Sequence, residues 1–261
     1  MGKVVAIANQ KGGVGKTTIS IQFAFYTAIK LKKKVLVIDM DGQGNTSSRL
    51  GPKTTDQNGE EFVYFTGTKS SDLYKSDLEK IEVTKCPSGV DLIHVPVDDT
   101  SLYDMEAVDI SLTLNPAKNL KEFIKTYDYV IVDCPPSLGR NLVAALSFAT
   151  HVISPIKFSC FAVDGVGRLM HTLLAIQRRS NPNLSVVGLI VNDLDRSLNQ
   201  ARSLAELEAD IGDLLFRNKI RHRPPLDVAN SLGIPVWELP YGHVAAKEVL
   251  AVFEEIIEKI N

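Results

Sequence analysis

The chain holds 261 residues, 44% of them apolar and 23% charged, and its 29 Lys and Arg against 31 Asp and Glu leave a formal charge of −2. That profile is the one of a soluble globular protein; it excludes a fibre, a disordered tail and a disulfide scaffold, and it leaves any nucleic-acid role to a local patch. Cys86, Cys134 and Cys160 stand far apart with no C-x-x-C pair, which reads as three core cysteines in a reducing compartment and argues against a structural zinc or iron–sulfur site.

The first apolar run, Val4 to Ala8, is too short for the targeting core of a signal peptide. No later run approaches the roughly 20 residues that cross a bilayer, so a cytoplasmic protein without a membrane partner is expected. After Val4 to Ala8 come glycines and then Thr18 to Leu31, apolar almost all the way round, which predicts a strand, a tight loop and a buried helix. A second buried strand over 34–39 closes a β-α-β unit. Residues 51–88 are the most polar and read as an irregular excursion on the rim, with one short helix at about 71–80. Further strands are expected at 90–95, 129–133, 151–155 and 186–191, separated by helical patterns at about 104–127, 139–148 and 162–180; crossovers of that length imply parallel pairing. Residues 198–215 are amphipathic, 234–239 are strand-like, and 245–260 form a docked C-terminal helix whose Glu-rich polar face argues against an anionic membrane anchor. With no repeat and no linker, the fold class is α/β: a single domain over 1–261 with a doubly wound, mostly parallel sheet and helices on both faces.

The strongest chemical signal is Lys11-Gly-Gly-Val-Gly-Lys-Thr17. Gly12, Gly13 and Gly15 let the loop turn backbone N–H groups inward, Lys16 reaches β and γ phosphates, Thr17 offers a hydroxyl to Mg²⁺, and the helix from Thr18 adds its positive end. A glycine-rich turn can be merely a turn, but the strand-loop-helix context favours phosphate. The loop departs from the ordinary P-loop: Gln10 occupies its first glycine position, and Lys11 is a second lysine, either an extra local contact or a group aimed away from its own site. Asp39 and Asp41 alternate onto one side beyond the second strand, and Asp133 ends the strand over 129–133. In an open parallel sheet that edge binds ligands, so all three acids can face the loop. Asp133 fits a Walker B acid that holds Mg²⁺ directly or through water, Asp41 the group that positions attacking water, and Asp39 either a member of the metal set or a cap for the following turn. The set points to Mg-nucleotide hydrolysis.

These motifs resemble the deviant Walker A ATPases, and within them the ParA/Soj plasmid and chromosome partitioning ATPases, with MinD and the nitrogenase iron protein as wider relatives. KGGVGKTT, VLVIDMDGQGNTSSRLG, YDYVIVDCPPSLG, SPIKFSCFAVDGVGRL and VNDLDRSLN match in family order over most of the chain. The resemblance implies an ATP-bound homodimer in which Lys11 crosses to the partner's phosphates. It also implies that residues 11–18 (Lys11, Gly12, Gly13, Val14, Gly15, Lys16, Thr17 and Thr18) cradle ATP, that Thr17 and Asp133 hold Mg²⁺, and that Asp41 orients water. Asn192 matches an asparagine that contacts adenine in the wider family, with a turn cap as the alternative. Relatives usually read Asp-Pro-Gln where this chain has Asp41-Gly42-Gln43, and the glycine is expected to make that loop more mobile.

The same resemblance implies non-specific binding of double-stranded DNA by the dimer, association with the nucleoid, and stimulation by a ParB-like centromere-binding protein. Arg196 matches an arginine near the family's DNA surface. Arg217, Lys219, Arg221 and Arg223 form a run with His222 and no acid between them, which is either a phosphate-contacting patch or a solvated face. Relatives read Ile-Pro-Arg-Asn-Val-Arg where this chain reads Ile220-Arg-His-Arg-Pro-Pro225, so the basic residues are displaced by one or two places. Among alternatives, a MinD-like regulator of cell division needs a basic amphipathic tail and an iron–sulfur carrier needs paired cysteines. A small-molecule ATP-dependent enzyme on the same scaffold needs a substrate pocket. A DNA-coating protein that uses ATP only to dimerise would have no use for Asp41.

Overall fold

The computed structural model describes residues 2–158 and 162–261, so Cys160 lies outside the described residues. In chain order the strands are β1 (Lys3–Ile7), β2 (Val35–Asp39), β3 (Lys53–Thr55), β4 (Glu61–Val63), β5 (Thr84–Lys85), β6 (Asp91–Ile93), β7 (Tyr129–Asp133), β8 (His151–Ile156) and β9 (Ser185–Val191). The α-helices are α1 (Lys16–Phe25), α2 (Asn45–Leu50), α3 (Ser101–Asp104), α4 (Asn115–Leu120), α5 (Arg140–Phe148), α6 (Ala162–Arg179), α7 (Leu198–Ile211), α8 (Pro224–Leu232) and α9 (His243–Ile260). The main sheet runs β5-β6-β2-β7-β1-β8-β9, parallel throughout except where β5 pairs antiparallel with β6.

Continuous apolar runs make the central strands because both sheet faces are covered. Val4, Ala6, Leu36, Ile38, Val130 and Val132 point into one apolar layer, while Val5, Ile7, Val35, Val37, Tyr129 and Ile131 point into the other. On the second face Phe253 of α9 meets Phe23 of α1 at 5.2 Å and Tyr26 at 5.6 Å between ring centres. Those contacts lock the C-terminal helix against the first one. The register sets Asp133 beside Ile7 on one side and Asp39 on the other, so the loops after β1, β2 and β7 emerge together at one edge.

Four stretches differ from the sequence reading. The pattern over 104–127 is broken into α3, a 3₁₀ turn over Ile110–Leu114, α4 and a second 3₁₀ turn over Phe123–Thr126. Punctuation explains the breaks: the Asp109 carboxylate accepts the Ser111 N–H at 2.8 Å, and Pro116 sits in the first turn of α4, where its missing N–H costs nothing. The helix expected at 71–80 is only a 3₁₀ turn, Ser70–Tyr74. The rim excursion contains the exposed antiparallel pair β3–β4 and the edge strand β5. The strand-like 234–239 is a 3₁₀ turn, Val236–Glu238, whose first N–H donates to the buried Gln22 side chain at 2.9 Å in place of a sheet ladder.

His94, just beyond β6, is buried at 3% exposure with its ring stacked on Phe65 at 4.5 Å. Burial, with Lys69 nearby, pulls its pKa down to about 4, so the folded protein keeps the ring neutral. An unfolded histidine titrates near 6.5, so the stability this residue contributes is complete above about pH 6.5 and is lost as pH falls toward about 4. His94→Gln should flatten that loss: urea midpoints measured from pH 7 to 4.5 fall less steeply than in the wild type. Parallel curves would show that another group carries the acid limb.

Candidate active site

The loop between β1 and α1 is fixed at its start by Asn9, whose side-chain amide donates to the Pro155 carbonyl at 2.7 Å and whose oxygen accepts the Lys11 N–H at 2.9 Å. Gly13 (φ 72°) and Gly15 (φ 95°) adopt left-handed backbone that only glycine takes without strain. Helix α1 starts directly on Lys16 with no side-chain cap, leaving its first N–H groups for a ligand. They open on a cavity of about 520 Å³ lined by Gly12, Gly13, Gly15, Lys16, Thr17 and Thr18, with Asp41 opposite. Lys16 is only 6% exposed and donates to the Lys11 carbonyl at 3.2 Å. Burial lowers its pKa while Asp133 and Asp41 oppose that shift. The result is an ammonium poised where anionic phosphate would be welcome.

Asp133 is the hub behind the cavity. Its carboxylate accepts the hydroxyls of Thr17 at 2.8 Å, Thr46 at 2.6 Å and Ser20 at 3.0 Å. Asp39, for which a place in the metal set or a turn cap was expected, is fully buried and, like Asp133, does not line the cavity. Its oxygens accept the Asp41 N–H at 3.2 Å, the Ser47 N–H at 2.9 Å and the Ser47 hydroxyl at 2.7 Å, so it braces the start of α2, consistent with a turn-capping role. Burial, joined by the charge of a neighbouring aspartate, raises the pKa of both Asp39 and Asp133. Asp41 reaches the cavity at 8% exposure; burial raises its pKa and Lys16 opposes the rise.

Asn192 lines the cavity and pins the loop, its amide donating to the Val14 carbonyl at 2.9 Å beside Gly15. Residues given no role from the sequence complete the walls or brace them. Asp193, in left-handed backbone at φ 58°, bridges Lys157 and His222, the latter at 2.6 Å, and all three line the cavity. Asn230 on α8 donates to the Thr18 hydroxyl at 2.7 Å. Their pairing is not legible locally, because each partner is 29 or more residues away in the chain.

The basic run is not a free patch. Arg217 pairs with Glu258 and lies 3.6 Å from Glu255, Lys219 pairs with Glu208 at 2.8 Å, and Arg223 pairs with Glu248. Arg221 is exposed and, with His222 and Arg223, lines the rim of the cavity; Arg196 is exposed in the turn between β9 and α7. Lys11 is exposed on the loop and is not part of the cavity lining.

A first parallel strand that feeds a glycine loop, a buried lysine and an uncapped helix start, with acids on the adjacent strands, defines a P-loop nucleotide-binding domain. Residues 2–186 match the model of the AAA domain family AAA_31. The chain is 32% identical over 239 residues, 90% of each chain, to the sporulation initiation inhibitor protein Soj of Bacillus subtilis, and 31% identical to the chromosome-partitioning ATPase Soj of Treponema pallidum, covering 99% of this chain and 98% of that one. Among solved structures it is similar to cobyrinic acid a,c-diamide synthase from Mycobacterium smegmatis with a bound ATP analogue and magnesium (25% identity, TM-score 0.72, 97% of this chain and 92% of that one). It also shares the fold of a variant McdA from Cyanothece in complex with ATP (22% identity, TM-score 0.80, 99% and 96%). The chain belongs to the AAA_31 family and, within it, to the ParA/Soj type of the MinD/ParA superfamily.

The loop geometry separates its glycines. Gly15→Ala should cost about 1–2 kcal/mol for the left-handed backbone alone, and the added methyl collides with the Asn192 amide. Gly12 has open space around it and no positive φ, so Gly12→Ala should stay within about 0.5 kcal/mol of wild type. Urea titration of both variants checks the contrast; equal losses would show that the two positions do not differ in this way.

Proposed function

We propose that this chain is a partitioning ATPase that dimerises on ATP, binds double-stranded DNA without sequence preference, and hydrolyses ATP faster when a ParB-like centromere-binding protein engages it at the nucleoid. The observation that carries the chemistry is the shared cavity: the Lys16 ammonium, the N-terminus of α1 and the Asp41 carboxylate all reach it, with the Thr17–Asp133 pair directly behind. Backbone N–H groups and Lys16 bind and orient the triphosphate. Asp41, the cavity-lining acid on the loop after β2, holds the attacking water, while Asp39 and Asp133 lie behind it. The hydroxyl of Thr17 and the carboxylate of Asp133 are hard oxygen donors of the kind Mg²⁺ takes, and a bound ion would neutralise charge between the phosphates. The place of Lys11 outside its own cavity supports its service to a partner's phosphates. The names of the relatives support partitioning as the task.

Of the candidate DNA-contacting residues, the exposed Arg196 and Arg221 have no acid paired to their side chains among the described residues and are the better candidates for DNA phosphates; Arg217, Lys219 and Arg223 would have to exchange glutamates for phosphates. The likeness to cobyrinic acid a,c-diamide synthase favours a second reading, a small-molecule ATP-dependent enzyme.

Asp41→Ala should bind Mg-ATP with near-wild-type affinity yet lose at least about tenfold in phosphate release, because water placement acts mainly in the transition state. Calorimetry and phosphate release measure the two separately, and full turnover would remove Asp41 from the role. For DNA, fluorescence anisotropy with a non-hydrolysable ATP analogue should show salt-dependent binding alike on unrelated duplexes, and Arg196→Ala should flatten the log–log salt slope by about 0.9, the share of a single neutralised phosphate. No DNA binding in any nucleotide state, with turnover indifferent to DNA, would move the assignment to the small-molecule enzyme.

A further inference from the structure

The loop after β2 is shaped by a residue outside the phosphate site. Gly42 is not among the residues with positive φ, so its backbone is open to any residue. What the glycine supplies is space. A Cβ at position 42 would lie 2.8–2.9 Å from ring carbons of Tyr103, inside van der Waals contact. The Tyr103 ring therefore rests on the bare backbone of the loop, and the Gln43 side-chain amide donates to its hydroxyl. The backbone N–H of Gln43 in turn donates to Asp41 Oδ1 at 3.1 Å, and the N–H of Gly44 to the Asp41 carbonyl at 2.9 Å. From the tyrosine to the Asp41 carboxylate there is one intervening residue.

Tyr103 is held from behind by the helix that follows the other acidic loop. Its neighbour Leu102 is buried, and the Leu102 carbonyl accepts the Asn141 amide at 2.8 Å. Glu106, just past α3, accepts the N–H groups of Arg140 at 2.6 Å and Asn141 at 3.3 Å, capping the start of α5. A methyl on Gly139 would strike that carboxylate. The segment 101–106 thus touches the loop of Asp41 at one end and the helix beyond Asp133 at the other.

We infer that Tyr103 is a positioning residue for Asp41: it clamps Gly42 and Gln43 so that the carboxylate is presented to the cavity, and it ties that loop to the start of α5. The inference rests on Asp41 as the group that orients the attacking water. Tyr103 is 44% exposed, so its removal changes the order of the loop and leaves the core intact.

Tyr103→Ala should lower kcat on the order of tenfold, the cost of a misplaced catalytic group, with KM and the Kd for Mg-ATP within about twofold of wild type. Tyr103→Phe keeps the ring and should lose about fivefold or less, the size of one neutral hydrogen bond. Gly42→Ala expels the ring and should match Tyr103→Ala, and the double variant should be no worse than either single one, since both break the same packing. Hydrogen exchange without nucleotide supplies a readout free of turnover: the amides of Gln43 and Gly44 should exchange faster in Tyr103→Ala, with an unchanged melting temperature. Wild-type kcat in Tyr103→Ala, additive losses in the double variant, or unchanged exchange at those two amides would overturn the inference while leaving the ATPase reading intact. A wild-type protein that hydrolyses no ATP would overturn both.

Discussion

A carboxylate with almost no access to water organises this molecule. Asp133 is 1% exposed, and burying an ionisable group there is tolerable only because three hydroxyls donate to it. Thr17 and Ser20 lie on α1 and Thr46 on α2, so one acid at the end of β7 fastens the helix of the phosphate loop and the helix after the second acidic loop to the centre of the sheet. Asp39 repeats the device one strand over, through Ser47. The cavity-lining groups Lys16 and Asp41 sit on loops and helices that these two buried acids fasten to the sheet.

How much of this could be read beforehand depended on how local the cause was. The central strands were legible because a parallel strand buried on both faces must be apolar throughout, and VLVID and YVIVD are. The glycine loop was legible because its residue types and its strand-to-helix setting coincide. The division of labour between Asp39 and Asp41 was half legible: alternation puts both on one side, but only the hydrogen bonds from Ser47 decide which one faces inward. The region 104–127 misled because its apolar spacing suits a helix while Asp109 and Pro116 cut it. The pairing of the basic run was hidden for a different reason. Its neutralising glutamates, Glu208, Glu248, Glu255 and Glu258, lie on α7 and α9, and no inspection of seven residues shows them.

Glycine at position 42 shows how a local rule can be right about a residue and wrong about its purpose. Conformational freedom is the usual reason for glycine in a loop, and here the backbone does not use it. The missing side chain is what counts, since an aromatic ring occupies its place. The same distinction separates Gly15, which needs its φ, from Gly12, which faces open space.

The glutamates of α9 carry one more consequence. Glu255 is 2% exposed and accepts the backbone N–H groups of Arg217 and Asn218 at 2.8 and 2.9 Å, while Glu248 accepts that of Arg221 at 3.0 Å and holds the Arg223 guanidinium. The far wall of the cavity, at Arg221 and Arg223, is therefore anchored to α9. Loosening α9 would free that wall while leaving the glycine loop and its acids, which are bonded to one another's helices, in place.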